Sequence, residues 1–137
     1  HRDLHSFPTR RSSDLVVSGW SLCYVATRSG AEWRMAVRQA VDEMRRVARC
    51  GASLVVFETL GTGCETPNPP QKLLPYLQFL SELGFTKSCI RTDYQFASVQ
   101  EAAAQMAFFF GPALADWVIA EQRRVVPECT AVFRLLV

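Results

Sequence analysis

The side chains of this 137-residue chain that carry chemistry gather between Ser53 and Pro70. An apolar run, Ser53-Leu54-Val55-Val56-Phe57, empties without a break into Glu58-Thr59-Leu60-Gly61-Thr62-Gly63-Cys64-Glu65-Thr66-Pro67-Asn68-Pro69-Pro70. A short β-rich run without polar alternation reads as a strand buried on both faces, as in a parallel sheet covered by helices. Ligands of such sheets bind at the carboxyl ends of the strands. The Glu-Thr pair and the Gly-Thr-Gly loop occupy that end, which places a carboxylate, two hydroxyls and a thiol where chemistry is expected. Cys64 would serve as a nucleophile only beside a base, and no base is in sight.

Asp3 to Leu15, Asp-Leu-His-Ser-Phe-Pro-Thr-Arg-Arg-Ser-Ser-Asp-Leu, is what one reading frame of a widely used sequencing adapter encodes. Whether an artefact of assembly or an ordinary polar N-terminal tail, residues 1–15 are set aside, expected to be disordered and to contribute nothing to folding. The protein proper is expected to begin near Val16, in mid-gene. Without residues 1–15 the chain keeps twelve basic and eleven acidic residues, a net charge of +1, and no histidine. That balance gives no electrostatic footprint for nucleic acid or a membrane surface. Losing His1 and His5 removes every Ser-His, Cys-His and His-metal scheme, so no metal site is expected. Cys23, Cys50, Cys64, Cys89 and Cys129 are widely spaced and include no C-x-x-C pair, which fits reduced thiols in a cytoplasmic protein. The longest apolar stretch, Ala102 to Ala120, is broken by Gln105, Gly111-Pro112 and Asp116 and is too interrupted to span a bilayer.

The elements that must position the loop follow from periodicity. Leu15 to Trp20 reads as a strand. Trp33, Ala36, Val37, Ala40, Val41, Met44, Val47 and Ala48 recur at helical spacing opposite a charged face, with Arg45, Arg46 and Arg49 complementing the helix end and Gly51 closing it. The strand Ser53 to Leu60 comes next, then a helix from about Pro70 to Leu83, with Leu73, Leu74, Leu77, Leu80 and Leu83 inward and Pro75 near its first turn. Phe85 to Phe96 alternates as a strand, with Ile90, Thr92, Tyr94 and Phe96 sharing a face. Ser98-Val99-Gln100-Glu101 is a capping box that opens a helix reaching Phe110. Pro112 starts another helix to about Arg124, and Glu128 to Val137 is a closing strand.

In this order, Val16-Val17-Ser18-Gly19-Trp20-Ser21-Leu22-Cys23-Tyr24, the Glu-Thr-Leu-Gly-Thr-Gly loop with its Pro-Asn-Pro-Pro tail, Arg91-Thr92-Asp93-Tyr94-Gln95-Phe96, Phe108-Phe109-Phe110-Gly111 and Pro127-Glu128-Cys129-Thr130 resemble the C-terminal half of bacterial class I S-adenosylmethionine-dependent methyltransferases. Arg46-Val47-Ala48-Arg49-Cys50-Gly51-Ala52 is similar to the Arg-Val-Leu-x-Pro-Gly-Gly that precedes the fifth strand there, with Cys50 and Ala52 departing from it. The resemblance covers Val16 to Val137, residues 16–137 forming one domain fragment. It implies an α/β, Rossmann-like class I methyltransferase fold with strand order 3-2-1-4-5-7-6 and an antiparallel last strand. This chain supplies strands four to seven. The first half, with the Gly-rich loop and the acidic ribose partner, is expected to be missing.

The resemblance further implies that the parent protein transfers the sulfonium methyl of S-adenosyl-L-methionine to a small-molecule acceptor, the fragment itself being inactive; the charge balance and hydropathy point to no nucleic acid or membrane partner. Ser18, Gly19 and Trp20 would lie beside the methyl donor, Trp20 either presenting its ring to the sulfonium or serving as a core aromatic. Glu58 would orient or deprotonate the acceptor, or else be a buried carboxylate capping backbone N–H groups of the neighbouring loop. Tyr24, Thr59, Thr62, Asp93 and Tyr94 would line the acceptor pocket, and Phe108 to Phe110 would pack in the core or cover the substrate. Two other classes stay open: a catalytically silent methyltransferase-like subunit that binds a partner, and another Rossmann-like enzyme that uses a nicotinamide cofactor.

Overall fold

The computed structural model describes residues 13–137, so all but the last three residues of the adapter-like segment 1–15 lie outside the described residues. In chain order the elements are β1 (Ser13–Gly19), α1 (Leu22–Arg28), α2 (Trp33–Val47), β2 (Ala48–Thr62), α3 (Leu74–Glu82), β3 (Thr86–Arg91), β4 (Tyr94–Gln95), α4 (Val99–Phe110), α5 (Pro112–Ala120), β5 (Val125–Val126) and β6 (Glu128–Leu136). A four-stranded sheet has the order β1-β2-β6-β3, and β4 pairs with β5 in a separate two-stranded ribbon. β1 and β2 are parallel, with Leu15 opposite Ser53 and Gly19 opposite Phe57. β6 runs against its neighbours. Gly51 N donates to Val137 O and Val137 N to Ala52 O, so the end of β6 meets the start of β2, while Thr92 N donates to Glu128 O just beyond β3. The protein is a mixed α/β structure with a mixed sheet. Its residues divide into two compact units, the first running to Glu58 and taking in Leu73–Ser88 and Val132–Val137, the second made of Thr59–Lys72 and Cys89–Ala131.

In the first unit, the apolar stripe of α2 buries Val37 and Val41 completely, while Arg34, Arg38, Gln39, Asp42 and Glu43 stay exposed. α2 ends at Val47 instead of running on to Arg49, because Ala48 already takes extended angles (φ −77°, ψ 139°). Gly51 has the expected left-handed φ, 82°, but uses it inside β2. There the register slips, with Ser13 opposite Ala48 and Leu15 opposite Ser53. The basic cluster is paired along the surface, Arg45 with Asp42, Arg46 with Glu43 and Arg49 with Asp14. β1 stops at Gly19 because Trp20 turns to a left-handed φ of 48°. β2 is fully buried on one face only: Leu54, Val56, Glu58 and Leu60 are inside, whereas Ser53, Val55, Phe57 and Thr59 are half-buried. In α3, Pro75 sits in the first turn, Tyr76 and Phe79 join the leucines inside, and Leu74, expected inward, is 40% exposed.

In the second unit, Ser98 Oγ accepts from Glu101 N at 3.0 Å, and Glu101 Oε2 accepts from Ala97 N at 2.8 Å, one residue before the cap itself. α4 and α5 pack through Ala102, Ala103, Met106, Ala115 and Val118. α5 stops at Ala120, four residues short of the expected end, because Gln122 is left-handed (φ 51°) and Arg123 N bonds back to Val118 O. The single strand expected from Phe85 to Phe96 is split. Asp93 accepts from Glu128 N and from the Arg91 guanidinium, and a side chain that takes backbone partners in this way interrupts a ladder. Phe108 and Phe109 are 80% and 65% exposed, so core packing is not their role. Among the described residues, no helix is long and apolar enough to cross a membrane, and no group of three or more His, Cys, Asp or Glu is arranged to hold a metal ion.

Candidate functional site

Each unit contains its own constellation. In the first, Glu58 comes from the buried face of β2 and is wholly inside. Its Oε1 accepts from the Tyr76 hydroxyl on α3 at 2.6 Å and from Cys23 N in the first turn of α1 at 3.0 Å. Its Oε2 is buried without a hydrogen-bond partner. Burial raises the carboxyl above its ordinary value, against the lowering effect of the Tyr76 and Cys23 hydrogen bonds. Burial, followed by the neighbouring Glu58, pushes the Cys23 thiol up to about 12 and the Tyr76 phenol well above its usual value. A thiol so shifted is not a nucleophile at neutral pH. The cluster anchors the start of α1 to β2 and α3.

Near this anchor in the chain, Ser18 Oγ and Ser21 Oγ are hydrogen bonded at 2.9 Å. The Trp20 ring stacks on Phe57 with centroids 5.6 Å apart, and Trp20 N donates to Phe57 O at 2.9 Å. Trp20 remains 47% exposed, and a Cβ on Gly19 would meet nothing within 4 Å. Tyr24, on α1, is also exposed, with the Arg28 guanidinium 5.4 Å from its ring centroid. A bulky left-handed residue at the carboxyl end of a strand is a strained position of the kind that clusters at functional sites.

In the second unit, the Gly-Thr-Gly loop borders a cavity of about 730 Å³. Thr59, Thr62, Cys64, Asn68, Pro70 and Gln71 line it from the loop, and Phe110, Leu114 and Trp117 from the helices. The loop shape depends on glycine. At Gly61 (φ 125°) a Cβ would lie 2.8 Å from Asn68 O, and at Gly63 (φ 77°) it would lie 2.8 Å from Leu114 Cδ1. Thr59 Oγ1 accepts from Gly61 N at 3.1 Å and donates to Glu128 Oε1 at 2.8 Å. Glu128 is 2% exposed, and its Oε2 is buried without a partner.

The structure thus brings Thr59 and Thr62 together on one cavity. Tyr94 lines a different one, about 180 Å³, with Phe96, Gln105, Met106, Phe109 and Phe110. Burial raises its phenol. Asp93 lines neither cavity. The Arg91 fork, at 2.9 Å on both oxygens, holds its carboxyl below the usual range. Sequence reasoning missed Tyr76, Cys23 N and Glu128, whose partners are distant in the chain, as well as Asn68 and Trp117. A signal existed for two of these. Glu128 opens an apolar strand just after Pro127, and Asn68 stands in the Pro-rich tail of the loop.

No family model and no curated protein matches the sequence. Among solved structures, the chain is similar to one described as "Crystal structure of MccD protein". The identity is 15% and the TM-score 0.39, over 95% of this chain and 64% of that one. The chain therefore spans less than two thirds of that protein's length.

Proposed function

We propose that the chain is the carboxyl-terminal half of a methyltransferase domain that uses S-adenosyl-L-methionine and a small-molecule acceptor. One observation carries this reading: the sheet order β1-β2-β6-β3, with β1 and β2 parallel and β6 running against its neighbours. This corresponds to strands four, five, seven and six of the fold that the sequence motifs resemble, with the last strand inserted. Crossovers through helices, and a last strand that returns antiparallel after α4 and α5 to lie between β2 and β3, produce such an order.

The residues at the end of β1 fit the cofactor. Gly19 leaves open space where a side chain would stand, and Trp20 offers an exposed ring, fixed by Phe57, of a kind that attracts a cationic centre. When bound, S-adenosyl-L-methionine supplies a methyl group already activated by its positive sulfur. Ser18, Gly19 and Trp20 hold and orient it. Glu58 is a positioning residue in this account: enclosed and bonded to Cys23 N and Tyr76, it fixes the turn Trp20-Ser21 through the first turn of α1. Thr59 and Thr62 help shape the acceptor cavity.

The test is isothermal titration calorimetry with S-adenosyl-L-methionine, on the chain alone and on the chain joined to the upstream reading frame recovered from DNA. The chain alone is expected to show no measurable heat, because the Gly-rich loop and the acidic ribose partner would be absent and ligand ordering must still be offset. The joined protein is expected to bind. Absence of binding by the joined protein would overturn the proposal.

A further inference from the structure

The cavity beside the Gly-Thr-Gly loop has a composition narrow enough to select a ligand. None of its twelve lining residues is charged. An ion entering would meet no counter-charge on this lining. Behind the wall, Glu128 accepts from Thr59 and adds negative charge, which disfavours an anion. Arg91 and Asp93 are occupied with each other.

The wall is built from two kinds of surface. One is apolar and partly aromatic, made by Phe110, Leu114 and Trp117. The Arg123 guanidinium, 4.6 Å from the ring centroid, restrains the Trp117 indole. The other surface is polar and neutral. The side chains of Thr62, Asn68 and Gln71 make no hydrogen bond among the described residues, and between them they offer donors and acceptors. Thr59 Oγ1 already donates to Glu128 and accepts from Gly61 N, so little of its capacity remains. The volume lies within the range of small-molecule sites, roughly 300 to 1,000 Å³.

We infer that this cavity binds an uncharged, planar aromatic molecule carrying a hydroxyl or amide edge. On the methyltransferase reading given above, that molecule is the acceptor. Its ring packs against Trp117 and Phe110, and its polar edge meets Thr62, Asn68 and Gln71.

The test needs no cofactor. The 137-residue chain, labelled with nitrogen-15, is titrated with 2-naphthol, with 2-naphthoate and with 1-octanol. For 2-naphthol, saturable shifts are expected at the amides of Gly61, Thr62 and Gly63 and at the Trp117 indole N–H. 2-Naphthoate should bind at least about tenfold more weakly, because its charge is uncompensated, and 1-octanol should also bind more weakly for lack of ring stacking. Trp117→Leu should weaken 2-naphthol about tenfold, whereas Phe109→Ser, in the smaller cavity, should leave it unchanged. Thr62→Lys should reverse the preference in favour of 2-naphthoate, and this second variant decides the matter if Trp117→Leu does not fold. Equal binding of the anion by the unaltered chain, shifts confined to Tyr94 and Phe109, or no saturable shift would overturn the inference. Failure here leaves the strand-order argument for methyl transfer standing, and failure of the joined protein to bind S-adenosyl-L-methionine leaves the cavity result standing.

Discussion

Glu58 and Glu128 are both buried, and each keeps one carboxyl oxygen without a partner, yet the two units use them differently. In the first unit the acid is the centre: a phenol and a helix-start N–H converge on it from elements far apart in sequence. In the second unit the acid stands behind the scene. It receives the Thr59 hydroxyl, which in turn receives Gly61 N, and the result is a glycine loop held open along an uncharged cavity. The contrast separates two meanings of a buried polar group. One fixes the backbone of the elements it joins; the other braces the rim of a cavity.

The largest effect should come from removing the enclosed acid. Glu58→Ala leaves the Tyr76 hydroxyl and Cys23 N–H unsatisfied inside the protein, and is expected to cost about 4 kcal/mol. Glu58→Gln, which keeps an acceptor, should cost about 1 kcal/mol. Urea unfolding at constant pH measures both, and equal, small losses would mean that the acid is not an anchor. Next in size is Met106→Ala in the packed α4–α5 contact, expected to cost about 3 kcal/mol through the cavity it leaves. Phe108→Ser, on the exposed side of the same helix, should change stability by less than about 0.5 kcal/mol. A large loss at Phe108 would restore its assignment to the core.

A smaller effect is the pH dependence. Burial raises the folded-state pKa of Glu58 above its ordinary 4.5, so the folded chain holds that proton more tightly than the unfolded chain does. The contribution to stability is complete below about 4.5 and is lost as the pH rises through the folded value. Denaturation midpoints collected from pH 4 upward should show this decline, and Glu58→Gln should flatten it. The smallest effect concerns β1, at the edge of the sheet among the described residues, whose Leu15 and Val17 are 56% and 50% exposed. Light scattering should detect concentration-dependent association through this edge, and Val17→Lys should suppress it. A concentration-independent monomer would count against an open apolar edge.

Several local signals in the sequence match the structure, although the Gly51 helix stop does not. The apolar stripe of α2, the Ser98–Glu101 cap, Pro75 in the first turn of α3 and the break at Gly111-Pro112 all act within a few residues. α1 was not legible, because seven residues with only Leu22 and Ala26 buried make too weak a pattern, and its start is held by Glu58, 35 residues away. The split between β3 and β4 was hidden for a similar reason: Asp93 takes Glu128 N, also 35 residues away. For the candidate sites, the loop and the residue types were readable. That Thr59 and Thr62 would face a cavity with Trp117, while Asp93 would not, depended on how α5 folds back on the loop.

The division of labour between the two units rests on Glu58 being enclosed and holding its proton more tightly than a solvent-facing carboxyl. Carbon-13 NMR of the Glu58 side-chain carboxyl, followed through a pH titration of the whole chain, measures this directly. The account predicts a midpoint above the ordinary 4.5, with a resonance that moves together with the Tyr76 ring signals. A midpoint at or below 4.5, with Tyr76 unaffected, would show an open carboxylate and contradict the account.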